Sequence, residues 1–298
     1  DNKKSAESRL RLRMYTLWPV QTAYRRCEWL MKVFGNAIAR ISLVLTLVLP
    51  LCVHADVLND ILDRGKIRVG VSLFAPWAMR DKAGELIGFE IDVAKKLAGE
   101  MGVDPEFKVY SWTDIIPALN RGDIDVIIAG MAITPQRALQ LNFTLPYAES
   151  GVGLATNTKM TEGIKDLREL NRPQIIVAAA AKTLGSDVAK LVFDDADLRI
   201  LATGAEAEQA VLEGKAHAYV GGLVEATFLE LQYPDKIDTP LNKPLLVSVA
   251  GMGVKKGDQE LLNFLNAWIT ARAADKWLSA TQKHWFNSLK WRDRVAPP

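Results

Sequence analysis

Arg137 is the residue whose position most strongly suggests a binding role. It closely follows Thr134 and Pro135, which predict the start of a helix because Thr is a favoured N-cap and Pro fits the first helical position. The helix dipole disfavours a cation in this first turn, so we expect the guanidinium to have a partner elsewhere. A carboxylate is the natural partner, since the guanidinium grips it with two parallel hydrogen bonds. A surface ion pair is the competing interpretation.

Small and apolar residues precede this arginine. Val126–Ile128 is a short block of β-branched residues, which is typical of a buried strand. Ala129, Gly130 and Ala132 follow it and leave room for a ligand to approach the backbone at the end of that strand. The segment Gly122–Tyr147 therefore predicts a strand, a turn of small residues and a helix that carries the arginine.

Three aromatic side chains and one hydroxyl are candidates to complete a binding site. Phe74, Trp77 and Trp112 each follow or end a predicted strand, where the ligand crevices of open α/β sheets lie. Thr183 lies in the turn Ala181–Gly185 before another predicted helix, whose N-terminus can hold an anionic group. An ordinary N-cap is an equally good interpretation of this threonine.

The sequence offers no recognisable catalytic machinery. His217 and His284 are far apart and have no carboxylate at metal-ligand spacing, and neither common glycine-rich phosphate loop is present. Glu90 lies at the start of a predicted helix, where the dipole explains it, and Asp125 is expected to be a solvated residue at a strand edge. We therefore predict no metal, no cofactor and no enzymatic activity.

Met31–Ala55 has the form of a secretory signal, with basic residues, an apolar run at Ile41–Cys52 and small residues at its end. The apolar run is too short for a stable membrane anchor. Cys52 permits a lipoprotein interpretation, but Leu51 is larger than the residue usual at that position. We therefore predict cleavage at the end of the signal and a periplasmic mature chain, and we leave residues 1–30, an upstream extension, out of the fold prediction.

Removal of the first 55 residues changes the charge of the chain. The remaining 243 residues contain 28 Lys and Arg against 32 Asp and Glu, a net charge of −4, because the leader carries nine basic and three acidic residues. The basic surplus thus belongs to the leader, and it does not predict a nucleic-acid partner. Cys27 and Cys52 are also removed, so the mature chain has no disulfide and no thiol nucleophile. We expect a monomer.

Strands alternate with helices along the mature chain, which predicts parallel βαβ units. The pattern occurs twice, and two extended segments connect the two units. We therefore predict an α/β fold with one lobe formed by residues 56–149 and 250–298 and a second lobe formed by residues 150–249. The second lobe is expected to begin with a helix at Ile164–Leu170.

Two segments resemble the family 3 solute-binding proteins, the periplasmic amino-acid receptors of ABC importers. The run G-F-E-I-D-V-A-K-K-L-A-G-E-M at Gly88–Met101 fits the signature of the family, and Asp125–Arg137 resembles its D-x-I-x-x-x-x-x-I-T-x-x-R segment. The resemblance covers Val57–Phe286. It implies a two-lobe periplasmic-binding-protein architecture, each lobe a mixed sheet flanked by helices, with an inner-membrane ABC permease as partner.

The resemblance also implies roles for single residues. It assigns the α-carboxylate of the ligand to Arg137, and it assigns to Ala129, Gly130 and Ala132 the backbone groups that complete the carboxylate site. Thr183 would reach the same carboxylate from the second lobe. The ligand would thus be a small carboxylate, either an amino acid or a related organic acid.

Further implied roles concern the ligand side chain and the hinge. Phe74 and Trp112 match the aromatic residues that sandwich the side chain of the ligand. The lobes would close on the ligand by hinge motion near Ser150–Leu154 and Val247–Gly251.

The sequence departs from the family pattern in ways that affect the ligand. Gly222 stands where members that bind α-amino acids usually have Asp, which pairs with the α-ammonium group. Either Glu225 or another acid replaces it, or the ligand has no α-amino group, because a buried ammonium without a counter-charge is unfavourable. The hydroxyl groups common at Ala129 and Ala132 are absent. The turn before Trp77 is about one residue shorter than in the family, which leaves the role of Ser72 open.

Two other functional classes share this fold. A periplasmic dehydratase of the cyclohexadienyl type also binds a carboxylate, but it needs a general acid in the cleft, and no carboxylate is clearly placed for that role. A sensor module of a receptor kinase or of a lytic transglycosylase would need a membrane-spanning segment or a further catalytic domain. The sequence continues only briefly after Phe286.

Overall fold

The computed structural model describes residues 56–241, 243–288 and 290–295. The predicted signal segment and residues 1–30 lie outside the described residues. Within those ranges, no helix has both the length and the apolar character needed to cross a membrane.

The secondary structure of the described residues alternates between strands and helices. The strands are β1 Lys66–Val71, β2 Met79–Arg80, β3 Leu86–Ile87, β4 Asp104–Val109, β5 Val126–Ile127, β6 Asn142–Asn157, β7 Ile176–Ala180, β8 Asp197–Leu201, β9 Ala218–Gly222, β10 Ile237–Asp238 and β11 Leu246–Val254. The α-helices are α1 Val57–Arg64, α2 Phe89–Met101, α3 Ile115–Arg121, α4 Pro135–Ala138, α5 Leu184–Val192, α6 Gly204–Leu212, α7 Leu223–Gln232, α8 Gln259–Ala274 and α9 Trp277–Phe286.

Parallel strand pairs occur in two separate units, as the alternating pattern predicts. β1 pairs in parallel with β4 and β5, and β7 pairs in parallel with β8 and β9. The long strands β6 and β11 lie between these units and pair antiparallel with each other. The path of the main sheet is β4-β1-β5-β11-β6-β9-β7-β8, with β10 paired to β6. The predicted α/β fold with two extended crossovers is therefore confirmed.

Each parallel unit has a hydrophobic core of its own. One core contains Val69, Ile91 and Leu97, and a different core contains Val177 and Val220. Helix α2 has the predicted helical spacing, since its apolar side chains between Phe89 and Ala98 are fully buried in the first core and Met101 is partly buried against it. Most of the two parallel units thus packs around different cores, although Phe228 of α7 lies in the first core.

The crossover strands move from one core to the other along their length. In β6, Tyr147 and Ala148 lie in the first core, whereas Val152 and Leu154 lie in the second. In β11, Ala250, Met252 and Val254 lie in the first core. These changes are consistent with lobe boundaries near residues 149/150 and 249/250, which stay a prediction.

Two local predictions are wrong. Ile164–Leu170 is not an α-helix, because only a single 3-10 turn forms at Leu167–Leu170. The apolar side chains of this segment anchor an irregular chain to the second core, which produces the same spacing as a helix. Asp125 is not solvated. It is 4% exposed and pairs with Arg64 and Arg68, each at an N–O distance of 2.5 Å.

Candidate functional site

A cavity of about 70 Å³ lies where the two cores face each other across the crossover strands. All nine residues predicted as ligand-binding line it, namely Phe74, Trp77, Trp112, Ala129, Gly130, Ala132, Arg137, Thr183 and Gly222. The cavity is also lined by Leu184 and Gly185 of the predicted Ala181–Gly185 turn. The tertiary structure adds residues that were not predicted as ligand-binding, namely Ser150, Gly151, Val152, Ala180, Tyr219, Gly221 and Ser248. Glu225, left open as a replacement acid, lines it as well.

Arg137 is positioned by the short helix α4, as its sequence predicts. The Thr134 hydroxyl accepts a hydrogen bond from the Arg137 amide at 3.3 Å, which confirms the predicted N-cap. The guanidinium donates to the carbonyl oxygens of Ala132 at 2.9 Å and Lys182 at 3.5 Å. It also lies over the indole of Trp112, with Cζ 5.2 Å from the ring centroid. Neutral acceptors and an aromatic face thus hold the charge in place.

No carboxylate in the described part of the chain forms an ion pair with Arg137. Burial lowers the pKa of this arginine, and the more distant charge of Asp187 acts in the opposite direction. Even so, a guanidinium stays protonated in proteins. A half-buried cation without an anionic partner, at the edge of a cavity, is a strong site for an incoming anion.

Two backbone groups of the small residues before Arg137 are used within the protein. The Gly130 amide donates to the Tyr147 hydroxyl at 3.2 Å, and the Ala132 carbonyl is taken up by the arginine. Gly130 has a positive φ of 59°, and the ring of Trp77 packs 3.0 Å from the position that a Cβ would occupy there. The glycine is therefore required by both the backbone conformation and the indole packing.

A buried acid lies behind this turn. Glu90 is 0% exposed, and its carboxyl accepts from the Tyr147 hydroxyl at 2.8 Å. Burial raises the pKa of Glu90 to about 8, against the opposing effect of hydrogen bonds from Tyr147 and the Gly130 amide. The helix dipole therefore does not decide the state of this acid, because desolvation outweighs it.

The three predicted aromatic residues have different surroundings. Phe74 and Trp112 form an edge-to-face pair with ring centroids 5.5 Å apart, and the Trp112 indole N–H donates to the Lys182 carbonyl at 3.1 Å. Trp77 is only 4% exposed and packs with its ring centroid 4.5 Å from that of Phe286. Trp77 is thus mainly a core residue that presents one edge to the cavity.

Thr183 serves as the N-cap of α5. Its hydroxyl accepts from the Ser186 amide at 3.1 Å and donates to the Ala180 carbonyl at 2.7 Å. Its one donor is therefore used within the protein. The amides of Leu184 and Gly185, which also line the cavity, are first-turn groups with no acceptor inside the helix. They fit an anionic group better than the threonine hydroxyl does.

Glu225 occupies the space that a side chain at residue 222 would fill. A Cβ built on Gly222 collides with the Glu225 carboxyl group. Glu225 lies in the first turn of α7, which begins after Gly222, and it accepts hydrogen bonds from its own amide and from the indole of Trp77. Burial raises its pKa to about 7. Of the open alternatives at Gly222, the geometry favours replacement of the missing acid by Glu225.

A second acid lies behind Glu225. Burial, followed by the charge of Glu225, raises the pKa of Glu208 to about 8, while a hydrogen bond from the Tyr219 hydroxyl acts in the opposite direction. The pKa of Tyr219 is also raised well above its ordinary value by burial and by the two acids. Nothing in the sequence marks Glu208, which belongs to a capped surface helix. Glu225 has a weak signal, as an acid in the first turn after a strand.

Two serines lie opposite each other on the crossover strands. Ser150 of β6 and Ser248 of β11 are partners in the antiparallel register, and both line the cavity. The Ser248 hydroxyl oxygen is buried and has no hydrogen-bond partner among the described residues. Unpaired buried polar groups are unfavourable, so this hydroxyl is a candidate contact for a ligand. Both serines fall within the stretches predicted as hinges.

A larger cavity of about 370 Å³ adjoins the first one at the Phe74–Trp112 pair. Both rings, with Ala180 and Thr183, belong to the walls of both cavities. The remaining wall residues are Ser72, Leu73, Val109, Tyr110, Ser111, Thr113, Ala181, Ala202, Thr203, Gly204 and Ala205, and they include no Asp, Glu, Lys or Arg. Ser72 donates to the Tyr110 carbonyl at 3.0 Å and belongs to this second cavity.

The histidines are not part of the site. The Nδ1 atom of His217 accepts a hydrogen bond from the Ile176 amide at 3.0 Å, so this side chain links β7 to the residues just before β9. The described residues contain no group of three or more His, Cys, Asp or Glu side chains that could hold a metal ion.

The chain is similar to known proteins over most of its length. Residues 67–288 match the family model of bacterial extracellular solute-binding proteins, family 3. The chain is 29% identical to the ABC transporter glutamine-binding protein GlnH of Bacillus subtilis over 237 residues. The matched region covers 77% of this chain and 84% of that protein.

Two solved structures are similar over nearly their whole length. The ancestral amino acid-binding protein AncCDT-1, a precursor of cyclohexadienyl dehydratase, is 34% identical with a TM-score of 0.71, covering 78% of this chain and 100% of that chain. The putative binding component of an ABC transporter from Wolinella succinogenes, complexed with lysine, is 32% identical with a TM-score of 0.73, covering 77% and 99%. This chain belongs to the family 3 bacterial extracellular solute-binding proteins.

Proposed function

We propose that this protein is the receptor of an ABC importer and binds an amino-acid zwitterion between its lobes without converting it. The observation that carries this proposal is the pairing of charges in one cavity. An arginine without an anionic partner and an acid without a cationic partner, Arg137 and Glu225, both line it. A molecule with both a carboxylate and an ammonium group satisfies the two at once.

The carboxylate of this zwitterion binds Arg137 with two hydrogen bonds. The first-turn amides of Leu184 and Gly185 and the unpaired Ser248 hydroxyl supply further donors. The ammonium group binds the Glu225 carboxylate beside Gly222. In this assignment Glu225 replaces the aspartate that is usual one turn earlier in the chain.

The side chain of the ligand extends past Phe74 and Trp112 into the second cavity. The first cavity is small, at about 70 Å³, so it accommodates only the charged head of an amino acid. The second cavity is about 370 Å³ and has no charged residue in its wall. We therefore infer a preference for uncharged side chains, since a terminal ammonium or guanidinium there would lack a counter-charge.

The wider context of the proposal follows from the leader and the family. The signal segment is cleaved near Ala55, and the mature monomer acts in the periplasm and delivers its ligand to an inner-membrane permease. The lobes, residues 56–149 with 250–298 and residues 150–249, close by bending of β6 and β11 near Ser150–Leu154 and Val247–Gly251.

Calorimetry on the mature chain tests this function. The panel contains the protein L-amino acids and, for each of several side chains, the 2-oxo acid that lacks the amino group. We expect at least one amino acid with an uncharged side chain to bind in the micromolar range or tighter, and its 2-oxo acid to bind at least tenfold more weakly. Equal affinity for both forms would contradict the ammonium site, and no binding by any amino acid would contradict the function.

A second candidate function is supported by one observation. Glu225, with a pKa raised to about 7, lies in the same cavity as Arg137, so the cleft does contain an acid suited to proton donation, contrary to the sequence-based expectation. This arrangement also suits the acid-assisted loss of a leaving group from a bound carboxylate. Formation of an aromatic product from prephenate or arogenate by the purified protein, abolished in Glu225→Gln, would support this enzyme. Absence of product leaves the receptor function as proposed.

A further inference from the structure

Three residues of the second lobe form a compact acidic cluster. Glu208 comes from α6, Tyr219 from β9 and Glu225 from α7, so three separate elements converge on it. The Tyr219 hydroxyl donates to Glu208, and the charges of Glu208 and Glu225 both act on Tyr219. Gly221 leaves the space that the Tyr219 ring occupies, since a Cβ there would collide with the ring. We name Glu208, Tyr219 and Glu225 the acidic cluster.

The acidic cluster has no cationic partner in the described part of the chain. Neither carboxyl group takes part in an ion pair among those residues, and the groups that contact the two acids are neutral donors, the Tyr219 hydroxyl and the Trp77 indole. The charged side chains that share the surroundings are Arg137, across the cavity, and Asp187, near the arginine. Two carboxyl groups that interact in a partly desolvated site resist being ionised together when no cation is present.

We propose that the acidic cluster stores a proton in the empty protein and releases it when the ammonium group of a ligand binds. This inference rests on the proposed function and adds a proton to its binding reaction. The empty cluster holds a neutral carboxylic acid at Glu225 or Glu208. The ammonium cation binds, the carboxylic O–H bond breaks, the carboxylate remains as the partner of the ammonium and the proton leaves to solvent. Charge balances, because one cation enters and one proton departs.

The direction of the pH effect follows from this exchange. The pKa values of Glu225 and Glu208 are raised to about 7 and about 8, so below about pH 6 both groups are protonated in the empty protein. Binding of the cation then requires loss of a proton, and affinity rises about tenfold per pH unit. Above about pH 8 at least one of the two acids is already ionised in the empty protein, so the affinity depends much less on pH. The alternative, a cluster permanently ionised, predicts affinity independent of pH between 5 and 7.

A ligand-free measurement tests the stored proton. Infrared spectra of the empty mature protein at pH 6 report the carbonyl band of protonated carboxyl groups. We expect Glu208→Gln and Glu225→Gln each to reduce this band, whereas Glu213→Gln, an exposed acid at the end of α6 paired with Lys215, leaves it unchanged. A band unaffected by both cluster variants would overturn the proposal. The Gln variants keep the size and hydrogen bonding of the acid, and melting curves verify that they fold.

Calorimetry tests whether ligand binding releases the proton. L-Glutamine and L-leucine are titrated at pH 6.5 in phosphate and in Tris, whose heats of protonation differ strongly, so the difference in binding enthalpy gives the number of protons released. We expect between about half a proton and one proton for the wild type, and fewer for Glu208→Gln, because loss of the second acid makes Glu225 easier to ionise.

The outcomes separate this inference from the proposed function. Binding with an enthalpy that does not depend on the buffer would overturn proton release and leave the receptor function intact. If neither probe nor any other protein L-amino acid binds in either buffer, the receptor function fails and the inference fails with it. A buffer-dependent enthalpy that persists unchanged in both Glu208→Gln and Glu225→Gln would also overturn it, since the proton would come from another group.

Discussion

Each lobe places a glutamate against a tyrosine hydroxyl, and the two pairs differ in their position relative to the cavity. In the first lobe, Glu90 accepts from Tyr147, and the Gly130 turn separates the pair from the cavity. In the second lobe, Glu208 accepts from Tyr219, which itself lines the cavity beside Glu225. Burial raises the pKa of the glutamate in each pair, Glu90 or Glu208, to about 8.

Burial alone does not make an acid functional. Neither Glu90 nor Tyr147 lines the cavity, so we expect the proton of Glu90 to affect the stability of the fold rather than ligand binding. The cluster containing Glu225 has an edge on the cavity, so its proton can be exchanged for a ligand cation. The same desolvation thus acts on stability in one lobe and on binding in the other.

Removal of the Arg137 guanidinium is expected to cause the largest loss of ligand affinity. Arg137→Ala removes the anion partner of the ligand, and we expect affinity for the best-binding L-amino acid to fall about 100- to 1,000-fold, on the order of 3–4 kcal/mol. Calorimetry measures the change. Arg168→Ala, at a side chain that is 90% exposed, is the control and should bind normally. Unchanged affinity in Arg137→Ala would remove the carboxylate site from the first lobe.

Glu90 gives the largest effect on stability. Its pKa is about 8 in the folded protein and about 4.5 when unperturbed, so between these values the folded state retains a proton that the unfolded state has lost. Stability of the wild type therefore falls as pH rises through this window. We expect Glu90→Gln to gain on the order of 3 kcal/mol relative to wild type at pH 9 compared with pH 5, by urea unfolding.

The control for this prediction is ligand binding. Glu90→Gln should keep the affinity for amino acids within about twofold at pH 7, because the Gly130 turn separates Glu90 from the cavity. A large loss of affinity would show that the two glutamate–tyrosine pairs do not differ in function.

Glu225→Gln separates the two charges of the ligand. We expect affinity for the best-binding L-amino acid to fall about 10- to 30-fold, roughly 1.4–2 kcal/mol, because the ammonium loses a charged partner. Affinity for the matching 2-oxo acid should stay constant or rise. Calorimetry on both forms measures the difference. An equal loss for both forms would mean that Glu225 supports the cavity rather than the ammonium.

A change in the wall of the second cavity is expected to cause the smallest loss of ligand affinity. Ala205→Leu adds apolar volume to its wall, and we expect affinity for amino acids with large uncharged side chains to fall about fivefold to tenfold, about 1–1.4 kcal/mol. Glycine and alanine should bind as they do to the wild type, since their side chains do not reach this space. Gln209→Leu, at an exposed position on the same helix, is the control. An equal effect on glycine would contradict the assignment of the side chain to this cavity.

Sequence alone determined the elements whose causes are local. The Thr134 cap, the apolar face of α2 and the alternation of strands with helices depend on neighbours within a few residues, so the position of Arg137 and the α/β fold could be predicted. The same local reasoning failed at Ile164–Leu170, because the spacing of its apolar residues there reflects attachment to a distant core rather than a helix.

Only the tertiary structure decided which groups are free to bind. Trp77 became mainly a core residue, and the Gly130 amide and the Thr183 hydroxyl were taken up by partners within the protein. Asp125 received two arginines from a neighbouring strand and helix. Glu225 filled the space left by Gly222, and Glu208 was brought behind it from another helix. These outcomes depend on contacts between residues far apart in the chain, where desolvation and pairing set the charge, and no local pattern records them.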